Sequence, residues 1–403
     1  MIGLEKQFNN REWDSVSVCL VIVCVLTNLS QLPFFAARSS TRMISVAAWF
    51  ALALFMLLKK DFQIVDIRIL GLLKYAYFFA AAMFVQALFT GIAYQRSSLL
   101  YSYFLSVFVY FIGFFAAGRI HEEKRDALAN AYVISAFVVS LIIYIQYFAG
   151  NLSALSGAQY LYSSKNSISQ IAVTAIVLLL IVIRPKTRPG RIIRFLLLAF
   201  EVVFMFLLRS RATIVEFFVV ILMLLFSNVK ARHLNRSKCM ILGAAAALLL
   251  LLCVSNRFYR FFINGILLAG RNASSLDSIS SGRTSIILNA FPHLREHWLF
   301  GVGNYYIDCF PIAAWIQFGL LGAVVLLVSA LYPMAKARSL PCSSEWKLTL
   351  RILTAAYFTN GFFECLSPFG PGVKCYFLWL LFGLLHGRRA SDAQDGKREE
   401  GCT

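Results

Sequence analysis

Long apolar runs separated by short polar segments repeat along almost the whole chain, from Ser15 to Leu385. A membrane-spanning helix needs roughly 17–23 mostly apolar residues, and Pro, Gly and charged residues mark the breaks between such runs. This pattern predicts twelve spans, at 15–35, 43–58, 70–90, 98–117, 128–149, 167–183, 192–208, 212–228, 239–255, 310–332, 348–366 and 373–387. The sequence therefore predicts an all-α, polytopic membrane protein.

The composition supports this prediction and excludes a soluble globular protein. Of the 403 residues 60% are hydrophobic and only 14% are charged, and the mean hydropathy is +0.73, which is too apolar for a soluble chain of this length. A net charge of +19 would suggest nucleic-acid binding in a soluble protein. Polytopic membrane proteins, however, collect Lys and Arg in their cytoplasmic loops whatever they bind. We therefore expect the lipid bilayer as a partner, and no nucleic acid.

The distribution of Lys and Arg predicts the orientation of the chain. With twelve spans both termini lie on one side, and the loops on that side carry the larger share of the basic residues. The positive-inside rule then places both termini in the cytoplasm. Residues 1–387 are predicted to form one transmembrane domain, and the short charged segment 388–403 a disordered cytoplasmic tail.

The longest predicted outer loop, 256–308 between spans nine and ten, carries an excess of basic residues. It contains five Arg but only two acidic residues before Asp308, and this positive charge would attract an anionic lipid-linked substrate. Within it, 278–298 places apolar residues at helical spacing around Pro292, which indicates an amphipathic helix at the membrane interface. Arg283 lies at the polar start of this helix, where contact with substrate and contact with lipid phosphate are equally good interpretations.

Two further basic clusters lie at the predicted outer ends of spans. Arg209 and Arg211 flank a tight turn between spans seven and eight, where two guanidinium groups suit a phosphate or pyrophosphate. The alternative is interfacial snorkelling. Lys165 and Asn166 open span six, and here the alternative is an ordinary helix start with Asn166 or Ser164 as the cap.

Two intramembrane carboxylates, Glu201 and Glu216, are costly to bury unless they are protonated or paired. Because they lie at similar distances on either side of Arg209 along the chain, we expect a structural ion pair with Arg209 or Arg211, with a proton relay as the alternative.

His293 and His297 share one helix face but have no third ligand at suitable spacing, so no metal site is predicted. No carboxylate occurs in the first outer loop, 36–42, which favours metal-independent chemistry.

Several short motifs resemble those of the O-antigen ligase and O-antigen polymerase superfamily. The segments 281–283 (SGR), 297–304 (HWLFGVGN) and 317–322 (QFGLLG) resemble the signature loop of that superfamily and the span that follows it. The turn 210–213 (SRAT) and the start of span six, 164–167 (SKNS), resemble two further elements of the pattern. Together with the span count, the resemblance covers most of the chain.

The resemblance implies transfer of a glycan from undecaprenyl pyrophosphate to a sugar hydroxyl, at the outer face of the bacterial cytoplasmic membrane and without a cofactor. It implies that Arg211 and Arg283, helped by Arg209, contact the pyrophosphate, and that Lys165 and Asn166 bind substrate. A flippase that delivers the donor and a chain-length regulator are the implied protein partners. Residues 1–387 would then be the catalytic domain.

The chain departs from the ligase pattern at Asp308. Ligases carry a histidine at this distance before the glycine motif, whereas this chain has Asp308, followed by Cys309 in place of asparagine. A carboxylate can still orient or deprotonate an acceptor hydroxyl, so we predict Asp308 as the catalytic base or the acceptor-orienting group, with His297 as a substitute. Tyr305 and Tyr306 are predicted to stack on sugar, with packing against lipid as the alternative. This departure favours a repeat-unit polymerase over a ligase. A transporter or flippase of lipid-linked sugars is the alternative outside the family.

Overall fold

The computed structural model describes residues 13–36, 43–59, 70–71, 73–90, 98–156, 160–229, 232–268, 282–303, 305–370 and 375–387, together with Ser275, Asp277 and Ser280. All regular secondary structure in these segments is helical. The predicted first outer loop after Ala36 and the predicted tail 388–403 lie outside the described residues.

The longer helices are labelled in chain order. They are α1 (Ser15–Leu29), α2 (Ile44–Leu58), α3 (Leu73–Thr90), α4 (Ser98–Ala116), α5 (Glu122–Ile143), α6 (Lys165–Ile181), α7 (Arg188–Leu207), α8 (Arg211–Leu225), α9 (Arg232–Val254), α10 (Arg283–Glu296), α11 (Phe310–Lys336), α12 (Ser344–Gly361) and α13 (Tyr376–Gly387). Short helical segments lie between them at Pro33–Ala36, Tyr144–Phe148, Leu152–Ser156, Asn256–Arg260, Phe261–Leu267 and Ala337–Ser339.

Local sequence explains where several helices begin. Asp14 caps α1, because its carboxylate accepts a hydrogen bond of 3.2 Å from the Ser17 amide. Thr187 caps α7 in the same way through the amide of Gly190. Helix α5 begins with two glutamates in its first turn, which favours helix formation because the amino end of a helix is electropositive.

Helix α6 lies at the centre of the bundle. Every residue from Ile168 to Ile181 is buried, and α6 contacts α5, α7, α8 and α12. This agrees with its sequence, since a helix that is apolar on all sides is stable only when other helices surround it. Because α6 runs from one end of the bundle to the other, its two termini mark two chemically different surfaces.

The outer surface of the bundle is apolar over most of its helices. Large hydrophobic side chains are exposed on α2, α7, α8, α9 and α11, among them Leu54, Ile193, Leu222, Leu250 and Val324. Soluble monomers rarely expose contiguous apolar surface of this extent, whereas a bilayer covers it. The fold therefore indicates a helical membrane protein.

Four of the described helical segments are long and apolar enough to cross a membrane: Leu99–Ala116, Glu122–Phe148, Leu234–Val254 and Phe310–Ser339. Four shorter apolar helices are Ser15–Leu29, Ile44–Leu58, Lys165–Ile181 and Tyr376–Gly387. These eight coincide with eight of the twelve predicted spans. The all-helical membrane architecture agrees with the sequence analysis, while the count of twelve and the position of the long loop outside the membrane stay predictions.

Helix α11 is interrupted at Gly319, where the backbone leaves helical geometry (φ 69°, ψ 179°). The interruption frees the carbonyls of Ile316 and Gln317, which accept hydrogen bonds of 2.7 and 3.0 Å from the amides of Val302 and Gly303. Across the break, the Leu320 amide donates to the Trp298 carbonyl at 2.9 Å. The segment 298–303 is thereby bound to the first part of α11, which orients the region between α10 and α11.

Candidate functional site

Three basic residues meet where α6 begins and α7 turns into α8. The Lys165 ammonium group lies 2.9 Å from the centroid of the Tyr160 ring, and the Arg209 guanidinium carbon lies 5.7 Å from the same centroid. The charges of Arg209 and Arg211 both act on Lys165. Helices α6 and α8 also direct their electropositive amino ends toward this cluster. We call Lys165, Arg209 and Arg211 the cationic cluster.

Arg209 has an unusual backbone conformation. It is the one residue other than glycine with positive φ among those described (φ 55°), and its side chain is almost fully buried. A left-handed conformation costs a residue with a Cβ about 1 kcal/mol or more. The surrounding structure holds Arg209 in this conformation, with its guanidinium group facing Tyr160.

A chain of polar side chains joins α6 to α8 beside the cationic cluster. The Ser210 hydroxyl donates to the Asn166 side-chain carbonyl at 3.0 Å, and Thr213 lies 2.8 Å from Ser210 and 2.6 Å from Ser169 between hydroxyl oxygens. The Asn166 amide group also donates to the Glu364 carboxylate. Asn166 is therefore held by tertiary contacts and does not cap α6, whose N-cap position is taken by Ser164 without a side-chain hydrogen bond.

A second group of polar side chains lies at the start of α10. The Arg283 guanidinium group lies 3.7 Å from one oxygen of the Asp308 carboxylate, and the Tyr306 hydroxyl donates to the other oxygen at 2.6 Å. Burial, followed by the hydrogen bond to Asp308 and its charge, raises the pKa of Tyr306, so this hydroxyl keeps its proton and acts as a donor. Arg283 and Asp308 both remain partly exposed.

The sequence around Arg283 and Asp308 explains their positions. Gly282 adopts a left-handed conformation (φ 80°) before α10, and Asp277 accepts a 2.9 Å hydrogen bond from the Ser285 amide. This amide hydrogen bond, together with the Ser285 hydroxyl, lowers the pKa of Asp277. Ile307 and Cys309, on either side of Asp308, are buried against Ala290 and Leu294 of α10. The buried face of the predicted amphipathic helix thus packs on protein near Asp308.

Glu364, which follows α12, brings the two groups together. It accepts the hydrogen bond from Asn166 beside the cationic cluster, and its charge acts, with that of Asp308, on Tyr306. Sequence analysis did not identify Glu364 as a site residue, and it considered Tyr306 only for sugar stacking. A carboxylate at the predicted outer end of span eleven was the available signal, because ionisable residues inside predicted spans are rare and are usually functional.

Two further predicted site residues, His297 and Tyr305, form no hydrogen bond or ion pair with Arg283 or Asp308 within the part of the chain that the structure describes. His297 is exposed just after the end of α10, and a 14-residue helix separates it from Arg283 by roughly 20 Å. Tyr305 places its ring 5.2 Å from that of His293, and its carbonyl accepts a 2.8 Å hydrogen bond from Gln317. Among the described residues, no three His, Cys, Asp or Glu side chains lie close enough together to hold a metal ion.

The predicted ion pairs of Glu201 and Glu216 with the arginines are wrong. The Ser140 hydroxyl donates to Glu201 at 3.1 Å, and the side-chain amides of Asn360 and Gln170 donate to Glu216 at 2.9 and 3.4 Å. Both carboxyl groups are fully buried. Neutral donors on neighbouring helices replace the expected guanidinium groups because Arg209 turns toward Tyr160 instead.

The chain matches no protein-family model and no curated protein. Three cations and two helix amino ends in one place have the chemistry that suits a doubly charged phosphate or pyrophosphate group. Asp308 and Glu364 beside them supply carboxylates that could accept a proton or a hydrogen bond from a hydroxyl group.

Proposed function

We propose that this protein is a bacterial membrane glycosyltransferase of the O-antigen polymerase type. It transfers a glycan from undecaprenyl pyrophosphate to a sugar hydroxyl at the outer face of the cytoplasmic membrane, and both of its termini lie in the cytoplasm. The observation that carries the proposal is the placement of Lys165, Arg209 and Arg211 beside the Arg283–Asp308 pair, with Glu364 between the two groups.

The proposed chemistry uses these residue types directly. Attack of a hydroxyl oxygen on the anomeric carbon forms the new glycosidic bond and breaks the bond to pyrophosphate, through a transition state with oxocarbenium character. Negative charge grows on the departing pyrophosphate, and Arg211 and Arg283, assisted by Arg209, stabilise that charge. Asp308 orients the acceptor hydroxyl and takes its proton, while Arg283 and Tyr306 hold the carboxylate in place.

Deletion of the gene distinguishes the polymerase from its alternatives. In the proposed function, the deletion strain accumulates single repeat units on the lipid carrier and lacks polymer, and the complemented strain restores polymer. The measurement is gel analysis of the surface glycan and of the undecaprenyl-linked pool. Full-length polymer retained on the carrier would instead indicate a ligase, and an unchanged glycan profile would contradict both and favour a transporter.

Substitution of the leaving-group arginines tests the site itself. We expect Arg211→Ala and Arg283→Ala each to lower polymer synthesis on the order of 100-fold or more, because each removes a cation that stabilises the developing charge. Arg295→Ala is the matched control, since Arg295 is an exposed residue in the last turn of α10. Full polymer in both site variants, at normal protein level, would show that the phosphate site is assigned wrongly.

A further inference from the structure

A cavity of about 390 Å³ opens at the opposite end of α6 from the candidate site. It lies between the segment that follows α6, the first turns of α7 and the first turns of α9. Helix α6 has 17 residues, so this cavity is separated from the cationic cluster by roughly 26 Å. That distance is close to the thickness of the hydrocarbon core of a bilayer, so the two sites lie at opposite faces of the membrane.

The polar side of the cavity is strongly basic. Five basic side chains line it, and none of the described lining residues is acidic: Arg184, Lys186, Arg191, Arg194 and Arg236. A carboxylate close by is that of Glu345, which forms a 2.7 Å ion pair with Arg184. Asp126 also acts on Arg184, so these two carboxylates offset Arg184 and leave the four other cations of the cavity in excess.

The cavity is held in shape by hydrogen bonds across three helices. Arg194 of α7 donates to the Leu179 carbonyl of α6 at 2.8 Å and to the Ser237 hydroxyl of α9 at 3.4 Å. Ser237 in turn donates to the Leu180 carbonyl at 3.3 Å. A site fixed in this way loses little conformational entropy when a ligand binds.

The remaining wall is apolar and faces the lipid side of the bundle. Phe195 and Leu198 of α7 and Met240 of α9 line it, and Phe195 and Met240 are exposed. A cavity with cations at the membrane surface and apolar side chains below them matches a ligand that has a phosphate group on an apolar tail. A free phosphate would use the cations but not this wall.

We propose that this cavity binds the phosphate group of an anionic ligand, at the membrane face opposite the candidate active site. Arg191, Arg236 and Lys186 contact the phosphate oxygens, while Arg194 holds the three helices together. The apolar wall makes a phospholipid headgroup the favoured source of the phosphate, and a soluble phosphate is the other source. This inference does not depend on the proposed glycan transfer.

The test measures thermal unfolding of the detergent-solubilised full-length protein as cardiolipin is added, with phosphatidylcholine and inorganic pyrophosphate in separate titrations. A ligand that binds only the folded state raises the unfolding temperature in proportion to its binding. We expect cardiolipin to stabilise the protein. The double variant Arg191→Gln/Arg236→Gln should raise the cardiolipin concentration that gives half of the full stabilisation on the order of 30-fold, because each cation near a lipid headgroup increases the affinity about fivefold. Lys186→Gln/Arg191→Gln, with both changes on exposed side chains, should have a similar effect.

The matched control is Arg188→Gln/Arg338→Gln, which removes the same charge from two exposed positions outside the cavity. It should leave the cardiolipin response unchanged. Stabilisation by inorganic pyrophosphate that is lost in the cavity variants would support the phosphate site and identify the source as a soluble phosphate. Equal responses of the wild type and both cavity variants to cardiolipin and to pyrophosphate would overturn the proposal, as would an equal response to phosphatidylcholine.

Discussion

Arg209 combines a strained backbone with a buried charge. Its positive φ and its almost complete burial are both unfavourable for an arginine, and strain of this kind is most often found where a side chain must point in a particular direction. The direction here is toward Tyr160 and Lys165. In the proposed function, the strained turn holds the guanidinium group in the phosphate site.

Two substitutions of Arg209 separate its backbone from its charge. Arg209→Gly and Arg209→Ala both remove the guanidinium group, but only glycine adopts positive φ without strain. We therefore expect the free energy of unfolding of the glycine variant to be about 1 kcal/mol higher than that of the alanine variant. Polymer synthesis should fall equally in both. The measurements are thermal unfolding and the glycan gel. Wild-type polymer in Arg209→Gly would contradict a role of the guanidinium group in the site.

Basic candidate site residues could be predicted from the sequence by their position, whereas those defined by a distant partner could not. Lys165, Arg211 and Arg283 stood out because basic residues are uncommon outside the membrane. Glu364 did not, because its partner Asn166 is 198 residues away along the chain, and only the packing of α6 against α12 brings the two together. His297 was predicted from its residue type, and its role stays a prediction, with α10 placing it roughly 20 Å from Arg283.

At the scale of elements, the apolar pattern predicted helices better than it predicted their interruptions. The pattern placed a continuous span at 310–332, since a single glycine inside an apolar run is normally tolerated in a helix. The structure breaks α11 at Gly319 because the segment 298–303 binds there through backbone hydrogen bonds. Such a break depends on a neighbouring segment, so hydrophobic periodicity cannot reveal it.

The break in α11 requires glycine at position 319. A Cβ there would overlap the carbonyl group of Leu299, and the φ of 69° is unfavourable for any other residue. We expect Gly319→Ala to lower the unfolding temperature by several degrees and to reduce polymer, because the segment that leads to Asp308 loses its attachment to α11.

Gly243→Ala is the control for this substitution. Gly243 lies inside α9, and a Cβ added there would meet no other atom within 4 Å. Alanine at this position should therefore be neutral or slightly stabilising. Thermal unfolding of both detergent-solubilised variants, together with the glycan gel, makes the comparison. If Gly319→Ala unfolds like the wild type and makes normal polymer, the break has no part in positioning Asp308.

For the whole molecule, α6 connects two basic surfaces that differ in their surroundings. The cationic cluster at its amino end lies beside Asn166, which donates to Glu364, and the cavity at its carboxyl end is basic with an apolar wall. Both basic regions are visible in the sequence as clusters of Lys and Arg. For the region at the carboxyl end of α6, the positive-inside rule was a sufficient explanation from sequence alone. The cavity there could not be predicted, because it forms only when α7 and α9 pack against the end of α6.

Thiol labelling tests the proposal that these two surfaces lie on opposite faces of the membrane. We expect Arg295→Cys to react with a membrane-impermeant maleimide in spheroplasts, and Lys186→Cys to react only after permeabilisation, because three predicted spans separate the two positions. Both side chains are exposed. The background carries serine at the exposed Cys239 and Cys253, and the unmodified background measures labelling of the remaining thiols. Labelling of both positions in intact spheroplasts would place the two surfaces on one side of the membrane. That result would contradict an odd number of spans between them and would show that the cavity does not lie at the cytoplasmic leaflet.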